Sequence, residues 1–175
     1  EKDTTCTVNG GTYVIGDKSG NRLFYLYNSS VLSTAKVQLT INGGTFSRVD
    51  VGSNESYGIQ VGSNVNGTIN IYGGEFTGFD AVLNLGVTGE YNIYGGKYTG
   101  TIEVGTGNPT ISGGWFKNNP ANYVANGYCA VSTTANNKGP WTVVPYPEKD
   151  NGAAYSSSYT PAAAMALYEN STRSV

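Results

Sequence analysis

Along residues 68–78 the chain reads TINIYGGEFTG: apolar and polar residues alternate, a glycine pair interrupts them, and an aromatic residue follows two positions later. Strict alternation predicts a β-strand with one face buried. The pattern recurs as CTVNGGTY at 6–13, LTINGGTF at 39–46, YNIYGGKY at 91–98 and PTISGGWF at 109–116. In all five copies an apolar residue (Val8, Ile41, Ile71, Ile93, Ile111) stands two positions before the first glycine, and Cys6, Leu39, Ile69, Tyr91 and Pro109 stand two positions earlier. Both sets share one face and are assigned to the core. Thr7, Thr40, Asn70, Asn92 and Thr110, with Asn9, Asn42, Tyr72, Tyr94 and Ser112, face outward. After the glycines, Tyr13, Phe46, Phe76, Tyr98 and Phe116 return to the inner face. Stacked copy on copy about 4.8 Å apart, they predict an internal aromatic ladder. The glycine pair supplies a tight corner, with φ > 0 expected at one of the two residues.

The first glycines fall at 10, 43, 73, 95 and 113, so the period shrinks through 33, 30, 22 and 18 residues. Self-similarity at this spacing means a solenoid or an array, and the strand alternation excludes helical repeats. A propeller blade needs about 40 residues, more than the shortest repeat supplies. The expected fold is all-β, a parallel β-helix of about five rungs whose unequal periods are absorbed by loops. Residues 58–62, 81–85, 101–104 and 22–27 predict a further sheet along the solenoid. The domain is assigned to 1–146, including a closing segment at 117–146, and 147–175 to a C-terminal tail or arm.

Composition narrows the function. A chain of 175 residues and 18.4 kDa has room for one domain with a real core. Only 13% of residues are charged, the net charge is −2, and no Lys/Arg cluster occurs, so a nucleic-acid partner is not expected. The longest apolar run falls far short of the roughly 20 residues that cross a bilayer, so membrane insertion is not expected. A start at Glu1 is compatible with a mature secreted protein. The 25 glycines and 14 tyrosines, with abundant Thr, Asn and Ser, are more typical of extracellular repeat proteins than of cytosolic enzymes, and a secreted or cell-surface location is expected. Asn28, Asn54, Asn66 and Asn170 lie in N-glycosylation triplets, which arise often by chance in such a sequence.

The glycine-glycine-aromatic repeats, followed by Asn119-Pro-Ala-Asn-Tyr-Val-Ala-Asn-Gly-Tyr-Cys-Ala-Val131 and Trp141-Thr-Val-Val144, resemble right-handed β-helix modules of large secreted and cell-surface proteins of gut-type Gram-positive bacteria. Similar modules occur in some phage fibres. The resemblance covers roughly residues 6–145. It implies a right-handed solenoid closed at its end by the segment after the last repeat, and a stalk or adhesive role. Cys129 is unusual for that pattern, and the tail from Pro147 lies outside it.

Parallel β-helices also host polysaccharide lyases and hydrolases, but the chain contains no histidine, which removes the commonest general base and metal ligand. Asp50, Glu55, Glu75, Asp80, Glu90 and Glu103 are scattered rather than paired as glycoside hydrolysis requires. Arg22 and Arg48 have no visible partners, and Glu75 and Lys97 fall in one outward column as a cross-rung ion pair. No catalytic residue, metal site or cofactor is assigned, and the protein is not expected to be an enzyme. Tyr72 and Tyr94, beside Asn70 and Asn92, are the candidate glycan-binding surface. The same tyrosines could equally be a cross-strand pair that stabilises the sheet. Trp115 is expected outward on the last rung, under the closing segment.

Cys6 falls inward in the first rung and Cys129 in the closing segment, four rung steps or about 19 Å away, whereas bonded Cα atoms lie within about 7 Å. Three readings stay open: two free thiols with Cys6 as a small buried hydrophobe, a bridge made by chain folding back, or a bond between molecules stacked end to end. The tail reads as a linker or as an arm that docks on another subunit. Together these features predict an extracellular structural or adhesive solenoid, whose open first rung suggests a head-to-tail filament of identical subunits. A carbohydrate-binding module is the alternative.

Overall fold

The computed structural model describes residues 3–16, 20–27, 35–49, 55–62, 65–86, 89–105, 109–134 and 138–145. The tail from 147 and the triplets at Asn28, Asn54 and Asn170 lie outside the described residues. The chain runs through three strands per coil. β1 (Thr4–Val8), β2 (Thr12–Ile15) and β3 (Asn21–Leu26) form the first coil, and β4 (Val37–Ile41), β5 (Thr45–Arg48) and β6 (Ser56–Val61) the second. The third comprises β7 (Gly67–Ile71), β8 (Glu75–Thr77) and β9 (Ala81–Leu85), and the fourth β10 (Gly89–Ile93), β11 (Lys97–Tyr98) and β12 (Thr101–Val104). β13 (Thr110–Ile111) and β14 (Gly114–Phe116) open the fifth, and β15 (Tyr128–Ser132) and β16 (Trp141–Pro145) follow.

Every third strand pairs in parallel. Sheet A has the order β1-β4-β7-β10-β13, sheet B runs β15-β16-β14-β11-β8-β5-β2, and sheet C runs β12-β9-β6-β3. The fold is therefore all-β and solenoid-like. The registers Cys6↔Leu39↔Ile69↔Tyr91 and Val8↔Ile41↔Ile71↔Ile93↔Ile111 are those of the aligned repeats. Where one further sheet was expected there are two, because the glycine pair divides each repeat between sheets A and B while residues 22–27, 58–62, 81–85 and 101–104 build sheet C.

The two glycines of each pair serve different physical needs. The second has positive φ throughout, 125° at Gly44, 112° at Gly74 and 109° at Gly96, a region that side chains with a Cβ rarely enter. The first lies against the coil before it: a Cβ on Gly95 would sit 2.5 Å from the Tyr72 carbonyl oxygen, and one on Gly73 3.0 Å from that of Asn42. One residue bends the chain, and the other lets the coils close up. The predicted ladder fills the corner from within: Tyr13, Phe46, Phe76, Tyr98 and Phe116 stack with successive centroid separations of 5.3, 4.5, 5.4 and 4.8 Å, all within 19° of parallel. Tyr98 Oη donates to the Gly95 carbonyl at 2.7 Å and Tyr13 Oη to that of Gly10 at 3.0 Å, so the ladder's tyrosine hydroxyls also tie their corners.

The two ends of the solenoid differ. Cys6 is inward in register with Leu39, as expected, but exposed, against the reading that made it a buried hydrophobe, and the ladder's Tyr13 is 37% exposed, because among the described residues no coil packs over the first. At the other end the chain leaves Phe116 without entering sheet C. It turns through a 3₁₀ segment at Ala121–Tyr123 to sheet A, where Val124 bridges Ile111 and Ala125 N–H donates to the Ile111 carbonyl at 2.8 Å. β16 then pairs antiparallel to β14, and β15 to β16, so Trp141, Val143 and Ala130 extend the core. The closing segment lengthens sheet B rather than lying over Trp115, which is half-buried with Lys97 Nζ 5.7 Å from its ring centre. The three sheets thus end at different levels: sheet C with the fourth coil, sheet A with the fifth, and sheet B two strands further on.

Candidate functional site

The outer face of sheet A carries the candidate residues. Three columns run along it in strand register: Thr5, Gln38, Thr68 and Glu90; Thr7, Thr40, Asn70, Asn92 and Thr110; and Asn9, Asn42, Tyr72, Tyr94 and Ser112. Backbone bonds from Asn42, Tyr72, Tyr94 and Ser112 N–H to the preceding coil, each 2.8 Å, hold the last column in line. Glu90 is the sole charged residue in the five strands of this sheet.

Amides pair along the columns. Asn42 Nδ2 donates to Asn9 Oδ1 at 2.8 Å, and Asn92 Nδ2 to Asn70 Oδ1 at 3.0 Å and Glu90 Oε1 at 3.2 Å. An Asn side chain has two N–H donors and two acceptor lone pairs, so these bonds fix the amides and still leave hydrogen-bonding capacity directed at solvent. Tyr72 and Tyr94 are 52% and 46% exposed, with ring centres 4.7 Å apart and planes 9° from parallel. The structure thus brings all four predicted residues together. Each ring covers one face of the other, so the faces turned away from the pair, toward Asn42 and toward Ser112, are those open to a ligand.

Sheet C bears a second polar column that the sequence reading did not assemble. Arg22 lies over the Tyr25 ring, 4.5 Å from its centre, and its Nε donates to Gln60 Oε1. Gln60 Nε2 donates to Asn84 Oδ1 at 3.3 Å, and Asn84 Nδ2 to Glu103 Oε2 at 2.8 Å. Tyr57 donates to Glu55 at 2.8 Å, and that bond, followed by desolvation and by the charges of Glu55 and Glu103, raises its pKa. No mark in the sequence sets the register of these strands, so the shared column of Gln60, Asn84 and Glu103 emerges only from their pairing.

Arg48 also corrects the reading of an isolated cation. Its side chain is 1% exposed, and Nη1 donates to Ser56 Oγ at 2.8 Å and to Asp80 Oδ2 at 3.1 Å. Ser56 N–H and Oγ–H both donate to the same Asp80 oxygen at 3.0 Å. Two positions after the ladder aromatic Phe46, alternation puts Arg48 inward, and a buried guanidinium needs such partners. Arg22 likewise has partners in Gln60 and Tyr25. The Glu75–Lys97 pair forms as expected, at 2.7 Å on the surface of sheet B.

The remaining candidates do not converge on these faces. Neither cysteine is bonded: Cys6 is exposed, and Cys129 is buried on β15 with Val131, where burial raises the pKa of its thiol. Asn66 is exposed just before β7. Among the described residues there is no group of three or more His, Cys, Asp or Glu side chains able to hold a metal, and no helix long and apolar enough to cross a membrane. No family model, no curated protein and no solved structure matches the chain.

Proposed function

We propose that the protein is a non-catalytic, extracellular structural or adhesive module built as a right-handed parallel β-helix of about five rungs. The observation that carries this reading is how the polar side chains are used. In column after column they bond to the equivalent residue of the next coil, as in Asn9–Asn42, Asn70–Asn92, Gln60–Asn84 and Glu75–Lys97, and where Arg48, Ser56 and Asp80 do converge the Ser56 hydroxyl is fully buried, out of reach of a substrate. Catalysis needs a nucleophile or base aimed at a reacting atom, with a second group to orient it. The ladders are instead what makes a stiff rod. Right-handedness is supported by the strong preference of parallel strand connections for that hand. Low charge and the Gly, Thr, Asn and Tyr content support an extracellular setting.

Head-to-tail polymerisation is the lesser reading. A copy whose β3 paired with the outer edge of β12 would have to place its β2 where β14, β16 and β15 already lie, because sheet B continues beyond the level at which sheet C stops. An intermolecular Cys6–Cys129 bond would also have to expose a buried thiol. The test of the main reading is incubation with neutral and acidic polysaccharides, following new reducing ends and unsaturated products. No release above a heat-denatured control is expected, and sustained depolymerisation by the pure protein would overturn it.

A further inference from the structure

We infer that the outer face of sheet A is a binding site for a neutral polysaccharide, whose sugars seat against the outward ring faces of the Tyr72–Tyr94 pair with the Asn and Thr columns as the floor. The inference adds a ligand to the structural role proposed above and does not depend on it.

Three observations combine. First, the tyrosines stand among short neighbours. In their own column they are followed by Ser112 and preceded by Asn42, and in the adjacent one they flank Thr40, Asn70, Asn92 and Thr110. Each outward ring face therefore rises beside a polar step, where a sugar can set its C–H face on the ring and its hydroxyls on amides. Second, the donors and acceptors are ordered before any ligand arrives, since Asn9 holds Asn42 and Asn70 holds Asn92, so less side-chain freedom is lost on binding.

The third observation is charge. Sheet B carries Glu75 and Lys97 outward, and sheet C carries Arg22 and Glu103, whereas the strands of sheet A hold Glu90 alone. Within its strands the face holds one carboxylate and no cation, and Asp3 and Lys36, just before β1 and β4, are of opposite sign; so little net charge suits an uncharged, hydroxyl-rich chain and gives an anionic one no cationic cluster to bind. The polar columns repeat once per coil, about every 4.8 Å.

The experiment is native affinity electrophoresis of the full chain in gels containing glucomannan, xylan or mixed-linkage β-glucan, with polygalacturonate as the anionic comparison. Retardation is expected in at least one neutral glycan. It should weaken on the order of tenfold in Tyr72→Ala/Tyr94→Ala, as expected for loss of two aromatic contacts, less in Asn70→Ala, and not at all in Lys97→Ala on sheet B. Circular dichroism and thermal unfolding confirm that each variant is folded. Unretarded migration of the folded wild type in all three neutral glycans overturns the inference. So does equal retardation of wild type and double variant, and so does retardation by polygalacturonate alone.

Discussion

Replacing Phe76 by alanine removes the middle of the aromatic ladder. The ring is fully buried and stacks on Phe46 at 4.5 Å and Tyr98 at 5.4 Å. Truncating a buried Phe costs about 3–5 kcal/mol through lost transfer energy and the residual cavity. The coils on either side are locked by in-register backbone pairing, so the cavity has little freedom to collapse. Two stacking contacts of about 0.5–1.5 kcal/mol each are lost as part of the same change, which places the expected cost near the upper end, about 4–5 kcal/mol. Tyr13→Ala is the internal comparison: its ring stacks on Phe46 alone within the ladder and is partly exposed, so about 1–2 kcal/mol is expected. Urea unfolding followed by far-UV and near-UV circular dichroism measures both, and coincidence of the two signals tests whether the coils unfold as one unit. Equal destabilisation by the two substitutions would refute the claim that the ladder is the spine of the core.

Three further outcomes follow from the corners and the buried groups. Gly95→Ala should destabilise by about 1–3 kcal/mol, since its Cβ overlaps the Tyr72 carbonyl, while Gly10→Ala, with nothing within 4 Å, should be neutral or slightly stabilising; thermal melts of the two variants decide this. Burial raises the pKa of Tyr98, so the folded state holds its proton more tightly than the unfolded state does. Stability is then unaffected below a pH of about 10 and falls as pH rises beyond it, and Tyr98→Phe should flatten that alkaline decline in urea midpoints between about pH 9 and 11. Cys6 should react with a thiol reagent at the rate of an exposed cysteine and Cys129 only on unfolding, because Cys129 is buried and its thiol pKa is raised; two fast thiols in the native protein would contradict the placement of β15.

The strands of sheets A and B were legible, though not their division into two sheets, because one device, the glycine pair, marks the same corner five times. Alternation counted back from Gly10, Gly43, Gly73, Gly95 and Gly113 therefore assigns faces without ambiguity. The strands of sheet C lack such a mark. They were found as separate apolar runs, and their register, with the polar column of Gln60, Asn84 and Glu103 on it, depends on corners whose lengths differ from coil to coil. Arg48 was misread for a related reason: its partners Ser56 and Asp80 lie in the following strand and in the next coil, a closeness that only the pairing of β5 with β8 and of β6 with β9 creates. The exposure of Cys6 was missed because a repeat pattern treats all copies alike, whereas burial of an end coil depends on what lies beyond it. Tyr72 and Tyr94 were placed correctly, but the orientation of their rings was not. Sequence alternation gives the face a side chain occupies and not the plane of its ring.

The corner that is constant and the corners that vary have separate consequences. Between β1 and β2, β4 and β5, β7 and β8, and β10 and β11 the chain spends only the residue before the glycine pair and the pair itself, so the ladder and the outer columns of sheet A keep one spacing throughout. Changes of length fall elsewhere: ten residues separate Leu26 from Val37 but three separate Leu85 from Gly89, and seven separate Arg48 from Ser56 but two separate Tyr98 from Thr101. Insertions at those corners leave the register of sheet A untouched, because each strand there is positioned by backbone bonds to its neighbours and by the glycine turn that follows. A surface meant to meet a repeating polymer needs a constant spacing, and a solenoid that must tolerate insertions needs somewhere to put them. This chain keeps sheets A and B regular and lets the borders of sheet C vary, so the columns on the candidate face of sheet A stay in step from coil to coil whatever the length of the corners beyond.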